Sequence, residues 1–146
     1  MISELIADLS GAPFDPQKNF DTAVEYERLG QTASAVSFYL RTVEYGGEQS
    51  LLVYASLLKL AKCFEHQTGR DYTVTNSLLQ AIAYMPERAE GHFLMARWHE
   101  RKGNWQECYT YACVGLKATD QACCLLMSIT PAFMDYYLRK PLALIG

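Results

Sequence analysis

Residues 89–105 decide the fold, and they read AEGHFLMARWHERKGNW. In the first part of this stretch, small and apolar residues recur every three or four positions, which predicts a helix that buries one side. Gly103 follows the basic last turn of that helix, at a position where a left-handed backbone conformation favours glycine. The same spacing resumes at residues 105–116, with small residues where two helices must approach closely. The sequence therefore predicts two antiparallel helices that pack as a hairpin.

A similar pair of helices lies near the start of the chain and turns at Gly30. The small and aromatic residues around Gly30 stand at the same offsets as those around Gly103. They are Ala23, Tyr26, Ala35 and Tyr39 in the early pair, and Ala96, His99, Cys108 and Ala112 in the late pair. Asp15 and Pro16 predict the start of the early pair, because aspartate caps free backbone amides and proline is tolerated at the first helical position.

A middle pair turns at Gly69 and ends at Met85, because the following proline excludes a helical conformation from the residue before it. Its first helix is predicted over residues 50–68 and contains one residue more than the corresponding helices. We expect this extra residue to form a bulge near residues 65–68. A short amphipathic helix, opened by Ser3, is predicted before the three pairs.

The pattern resembles the tetratricopeptide repeat. The residues that carry the resemblance in the late pair are Pro86, Ala89, Ala96, Gly103, Cys108 and Gly115. His99 replaces the usual tyrosine, and Asp120 stands where a closing proline is common. The resemblance implies an all-α solenoid of helical hairpins, in which each hairpin covers the open face of its neighbour.

This resemblance predicts a single domain over residues 1–146. Its parts are three repeats at about residues 16–49, 50–88 and 89–122, a capping helix at residues 121–130 and a tail at residues 131–146. The apolar tail either folds back onto the solenoid, which we expect, or forms an exposed contact segment.

Composition limits the classes of function. A net charge of -3 and a pI near 5.6 provide no basic field for a phosphate backbone, so we expect no nucleic-acid partner. No stretch has the apolar length that spans a bilayer, so we expect no membrane partner. Five cysteines without a secretory signal at residues 1–10 predict a reduced, cytoplasmic setting, which would be the host cytoplasm if the chain is viral.

Candidate chemistry is sparse. His92, His99 and Glu100 share a helix, and Cys108 or Cys113 could complete a zinc site across the hairpin. However, His99 and Cys108 occupy packing positions of the repeat, so we interpret them as core. The sequence contains no recognisable triad and no glycine-rich phosphate loop. We therefore predict no catalytic residue, no metal, no cofactor and no enzymatic activity.

The resemblance also implies a concave groove lined by first-helix positions. These positions are the apolar row Phe20, Leu58 and Phe93, the neighbouring row Val24, Lys62 and Arg97, and the acidic row Glu27, Glu65 and Glu100. Such a groove suits an extended or helical peptide with apolar anchors and charges of both signs. The alternative, of equal weight, is a solvated face with ordinary ion pairs.

One subtype is disfavoured. The family members that bind chaperone tails hold a carboxylate with lysine, asparagine and arginine, but those positions are Phe20, Val24, Glu90 and Leu94 in this chain.

A narrower resemblance involves residues 30–42, GQTASAVSFYLRT, together with residues 63–64 and 88–91. They look like tetratricopeptide-like proteins of marine phage and environmental viral sequences, some of which accompany a glycosyltransferase domain. Three hypotheses follow. The chain is a non-catalytic scaffold that binds a protein or peptide through the groove, an accessory module of a glycosyltransferase or glycan-modification system, or a structural subunit that self-associates through its tail.

Overall fold

The structure is a computed structural model and describes residues 1–48 and 50–118. These residues form seven α-helices and no strand, which confirms the predicted all-α class. The helices are α1 (Ile2–Gly11), α2 (Pro16–Arg28), α3 (Thr32–Tyr45), α4 (Leu51–Glu65), α5 (Asp71–Tyr84), α6 (Ala89–Lys102) and α7 (Trp105–Ala118). The predicted capping helix and tail, residues 121–130 and 131–146, lie outside the described residues.

Side-chain caps fix the start of two helices. The Asp15 carboxylate accepts a hydrogen bond of 3.0 Å from the backbone amide of Lys18, and Pro16 takes the first helical position of α2. This arrangement confirms the predicted start of the early pair. The Ser50 hydroxyl accepts in the same way from the amide of Val53, at 3.4 Å, and α4 begins at the next residue.

Glycines in the left-handed conformation lie in the turns that follow α2, α4 and α6. Gly30, Gly69 and Gly103 have φ angles of 79°, 78° and 77°, as the sequence predicts. At Gly103, the glycine amide donates to the Glu100 carbonyl at 3.1 Å and the next amide donates to the His99 carbonyl at 2.9 Å. These bonds satisfy carbonyls that the end of α6 would otherwise leave unpaired.

Two predicted helix boundaries are wrong. α1 begins at Ile2, not at Ser3, and it has no side-chain cap, since the Leu5 amide reaches back to the Met1 carbonyl at 3.2 Å. The extra residue of the middle pair forms no bulge. Instead α4 ends at Glu65, and the Gln67 amide donates to the Phe64 carbonyl at 3.0 Å, so a tightened turn takes up the extra residue.

Contacts divide the chain into two compact units, Met1–Ser77 and Leu78–Gly146, with the boundary inside α5. In the first unit, α1 packs on α2, α2 packs on α3, and α3 packs on α4, while α2 also reaches α4. In the second unit, α6 packs on α7. The predicted single domain and repeat boundaries stay predictions.

The core of the first unit is built around small residues. Ala23 on α2 and Ala35 on α3 have no exposed surface, which lets the two helices approach closely. Beside them the rings of Tyr26 and Phe38 stack with centroids 5.5 Å apart. The larger buried side chains of this unit include Tyr39, Tyr54, Leu57 and Leu60.

The second unit repeats this packing with different residues. Ala96 on α6 and Cys108 on α7 are fully buried. The His99 ring stacks on Tyr111 at 5.7 Å with an interplanar angle of 9°, at the position where the first unit stacks Tyr26 on Phe38. The structure therefore confirms that His99 and Cys108 are packing residues.

Each unit also contains a buried polar side chain that contacts the connection before a helix, which is α2 in the first unit and α6 in the second. The Asn19 amide donates to the carbonyls of Pro13 and Asp15, at 3.0 and 2.8 Å. In the second unit, Nε2 of His92 lies 3.0 Å from the carbonyl of Pro86. Asn19 and His92 stand at the same offset from Gly30 and Gly103, so the two units use the same contact with different chemistry.

Replacing Gly103 with alanine tests the left-handed turn. A Cβ at Gly103 would meet nothing within 4 Å, so the only cost is the positive φ, which we expect to lower the free energy of unfolding by about 1 to 2 kcal/mol. Gly11→Ala is the matched control, because its Cβ also meets nothing within 4 Å and its φ is not positive. Urea unfolding followed by circular dichroism measures both variants, and equal effects would show that the turn does not need glycine.

Candidate functional site

The nine predicted groove residues lie on three first helices. α2 carries Phe20, Val24 and Glu27, and α4 carries Leu58, Lys62 and Glu65, all in the first unit. α6, in the second unit, carries Phe93, Arg97 and Glu100.

The structure brings two of the predicted residues of the first unit together. The Glu27 carboxylate on α2 lies 3.7 Å from Nζ of Lys62 on α4. A second lysine, Lys59, which is not among the predicted groove residues, lies 3.8 Å from the same carboxylate. A signal was present in the sequence, because Lys59 and Lys62 are three residues apart on one helix and so share a face.

The Glu27 carboxylate is fixed from the other side by Tyr39. The Tyr39 hydroxyl on α3 donates to Oε1 of Glu27 at 2.6 Å, and the tyrosine has no exposed surface. Burial raises the pKa of Tyr39 far above its ordinary value, and the hydrogen bond to Glu27 raises it further. The phenol is therefore a permanent donor that holds the carboxylate at the meeting point of three helices.

Cys63 lies next to this cluster and contributes no charge. Burial raises the pKa of its thiol to about 11, and the Glu27 charge adds to this effect, while Lys59 and Lys62 oppose it. The thiol is 3% exposed. Because the thiolate is the reactive form, Cys63 is a packing residue and not a nucleophile.

The apolar row exposes less surface than a peptide-binding groove needs. Leu58 and Phe93 are each 4% exposed. Phe20 is half-buried and packs edge-on against the Tyr39 ring, with centroids 5.7 Å apart. Val24, at 38% exposed, is the apolar groove residue that the described structure leaves most open. Groove binding by the apolar row stays a prediction, and the accessible apolar residue of the groove is Val24, which belongs to the neighbouring row.

The remaining predicted residues are partly covered. Glu65, Arg97 and Glu100 are half-buried, and each already has an interaction within the protein. Glu90, which occupies one of the carboxylate-clamp positions, is fully buried and forms two hydrogen bonds with the Arg88 guanidinium, of 3.1 and 2.6 Å. Periodicity did not indicate this buried ion pair, because it identifies core positions by their apolar residues. A charged residue is seldom buried at such a position unless it is paired.

The residues considered for zinc do not converge. Within residues 1–48 and 50–118, no three histidine, cysteine or acidic side chains are grouped closely enough to hold a metal ion. His92 contacts the Pro86 carbonyl, and Nδ1 of His99 lies 3.3 Å from the Asn104 amide nitrogen. The His92 ring is buried, and the His99 ring stacks on Tyr111, so both rings are engaged within the fold.

Comparison with known proteins defines the fold. No protein-family model matches the sequence, and a search of curated proteins finds no match. Among solved structures, the chain is similar to the crystal structure of MamA, with a TM-score of 0.68 and 13% sequence identity, over 97% of this chain and 85% of that one. MamA is tetratricopeptide-like. The chain has a tetratricopeptide-like helical-repeat fold. At this identity the similarity concerns the fold alone.

Among the helices that the structure describes, none is both long enough and apolar enough to cross a bilayer.

Tyr39→Phe tests the role of the tyrosine hydroxyl. The change removes a hydrogen bond to a charged acceptor without opening a cavity, so we expect the free energy of unfolding to fall by about 1.5 kcal/mol. Tyr26→Phe is the matched control: it changes another tyrosine of the same unit, whose ring stacks on Phe38. Urea denaturation compares the two variants. If they are equally stable, the Tyr39 hydroxyl does not stabilise the fold.

The His99 ring predicts a dependence of stability on pH. Burial lowers the pKa of His99, and the Glu107 charge opposes this only partly. The unfolded state therefore takes up a proton before the folded state does, so stability is complete above about pH 6.5 and declines as the pH falls below it. His99→Tyr places at this position the residue type that Tyr26 provides in the first unit. Thermal melts between about pH 7.5 and 5.5 should show a smaller loss in this variant than in the wild type, and identical losses would contradict the prediction.

Proposed function

We propose that the protein is a non-catalytic scaffold that binds a peptide or protein partner along the face formed by α2 and α4. Three kinds of observation support the proposal: the tetratricopeptide-like fold, the exposed apolar side chain of Val24, and the charged cluster beside it. The tetratricopeptide resemblance implies that first-helix faces line the binding groove, and such a groove suits an extended or helical peptide. The partner contacts an apolar position and charged positions on the same face.

The ion pair between Glu27 and Lys62 is the observation that carries this proposal. It joins the first helices of two successive pairs, so their faces are adjacent within the first unit. A peptide lying on one helix can therefore contact the other. Lys59 and Lys62 are partly exposed, at 36% and 48% of their side-chain surface, and remain accessible to such a peptide.

A photo-crosslinking experiment tests the proposal in the native cells. Benzoylphenylalanine is placed at Val24 on α2 or, as a control, at Leu40 on α3, which is also apolar and is 52% exposed. We expect a covalent adduct from position 24 and none from position 40. We also expect the position-24 adduct to disappear when Lys62→Glu is added, since this change replaces an exposed ammonium group of the face with a carboxylate beside Glu27.

The opposite pattern would remove this proposal. An adduct from position 40 alone would mean that the face of α2 and α4 is not the interface, and a position-24 adduct that persists with Lys62→Glu would mean that the interface does not extend to α4. The absence of an adduct from both positions would count against it equally.

The two other hypotheses from the sequence stay predictions. The link to a glycosyltransferase and the viral origin rest on the narrower resemblance alone. Self-association was assigned to the tail at residues 131–146, which lies outside the described residues. No contact among the described residues favours either hypothesis over the scaffold.

A further inference from the structure

We propose that Lys59 and Lys62 bind the carboxylate of an aspartate or glutamate side chain within a peptide that lies along α2 and α4. This inference rests on the proposed function and identifies the chemistry of its partner. It follows from an imbalance of charge at the meeting point of α2, α3 and α4.

The two lysines converge on one carboxylate without being saturated by it. Their Nζ atoms lie 3.8 and 3.7 Å from the oxygens of Glu27, which is longer than a hydrogen bond. Neither ammonium group makes a hydrogen bond within residues 1–48 and 50–118. Each can therefore turn a donor toward a second carboxylate without breaking a hydrogen bond of the fold.

The other polar groups of the cluster do not cancel the excess positive charge. Tyr39 stays neutral because burial and the Glu27 hydrogen bond raise its pKa. Cys63 stays protonated because burial raises the pKa of its thiol to about 11. On α2, Glu25 is already bound by the Arg28 guanidinium, with hydrogen bonds of 2.5 to 3.1 Å. Among the groups that meet at Glu27, two ammonium groups therefore face one carboxylate, and the charge of these groups alone sums to a single positive charge.

One further acid lies nearby on the same helix. Glu65 follows Lys62 by one helical turn and has an interaction of its own. None of the variants that test the inference changes Glu65, so its charge contributes equally to every affinity that is compared.

The position of the lysines favours an internal side chain over a chain end. Lys59 and Lys62 lie within α4, with helix before and after them, and Val24 supplies an exposed apolar contact on α2. A peptide can therefore continue in both directions along the helices. The expected ligand carries an acidic residue next to an aliphatic residue.

Fluorescence anisotropy with synthetic peptides tests the inference directly. The probe is a fluorescein-labelled peptide of glutamate, leucine and serine with an amidated C-terminus. Comparison peptides replace every glutamate by glutamine or by lysine, and one glutamine peptide keeps a free C-terminal carboxylate. We expect the glutamate peptide to bind the wild-type protein roughly 10-fold more tightly than either amidated comparison peptide. We expect this preference to vanish in about 1 M salt.

Two sets of variants locate the effect. Lys59→Gln with Lys62→Gln should reduce binding of the glutamate peptide to the level of the glutamine peptide. Lys18→Gln with Lys117→Gln is the matched control, because it removes the same total charge from lysines outside the cluster, and it should change the affinity less than about 2-fold. Glu27→Gln retains an acceptor for the Tyr39 hydroxyl and removes the competing carboxylate, so it should tighten binding.

Each opposite result would overturn the inference. These results are a preference for the lysine peptide, equal binding of the glutamate and glutamine peptides, unchanged binding after the Lys59 and Lys62 changes, or weaker binding after Glu27→Gln. Tighter binding of the glutamine peptide with a free terminus would show that the site takes a chain end instead.

The wild-type comparisons need no variant, so the inference can be tested even if the double lysine variant fails to fold. If crosslinking from position 24 succeeds while glutamate gives no advantage, the scaffold proposal stands and only the acidic ligand is rejected.

Discussion

The close approach of paired helices is the constraint on which the structure depends. Ala23 lies at the contact between α2 and α3, and Ala96 and Cys108 lie at the contact between α6 and α7. None of these three residues has exposed surface. A larger side chain at such a position would force the helices apart or force side chains off their preferred rotamers. Either change would lower the free energy of unfolding by about 1 to 3 kcal/mol. Because the helices are this close, polar groups along their edges come within hydrogen-bonding distance. The bond between Tyr39 and Glu27 is one consequence.

The two units share this frame but differ in the chemistry that it supports. Glu27 and Glu100 stand at the same offset from their turn glycines, but the second-helix residue that corresponds to Tyr39 is Ala112. Ala112 has no hydroxyl to donate, so the contact that fixes Glu27 cannot form at Glu100. Small residues and glycines therefore determine how the helices pack, while the residues beside them determine which charges each face presents.

Local chemistry explains how much of the fold could be predicted from the sequence. The cap at Asp15 and the turn at Gly103 each depend on a few neighbouring residues, so a single stretch of sequence contains all the relevant information. The extra residue near the end of α4 was predicted as a bulge, because sequence spacing reveals an insertion but not whether the helix or the turn takes it up.

The candidate site was harder to predict, because its contacts join helices that are distant in sequence. Glu27 and Lys62 were placed on one groove by the resemblance, but Lys59 was not, since it falls one position away from the aligned row. Burial of Leu58 depends on what packs against α4, and periodicity does not specify the partner. The same limit applies to Glu90, whose burial is understandable only together with Arg88.

The contacts at Glu27 differ in strength, and this difference explains how the face of α2 and α4 can be stable and still be accessible to a ligand. The bond from Tyr39 is short, involves a fully buried donor and anchors the carboxylate to the core. The contacts from Lys59 and Lys62 are long and partly exposed, and ion pairs of this kind contribute less than about 1 kcal/mol each. A ligand that draws the lysines away therefore costs the fold little, because Tyr39 keeps Glu27 in place. The buried part of the cluster is fixed to the core, and the two lysines form its partly exposed and exchangeable part.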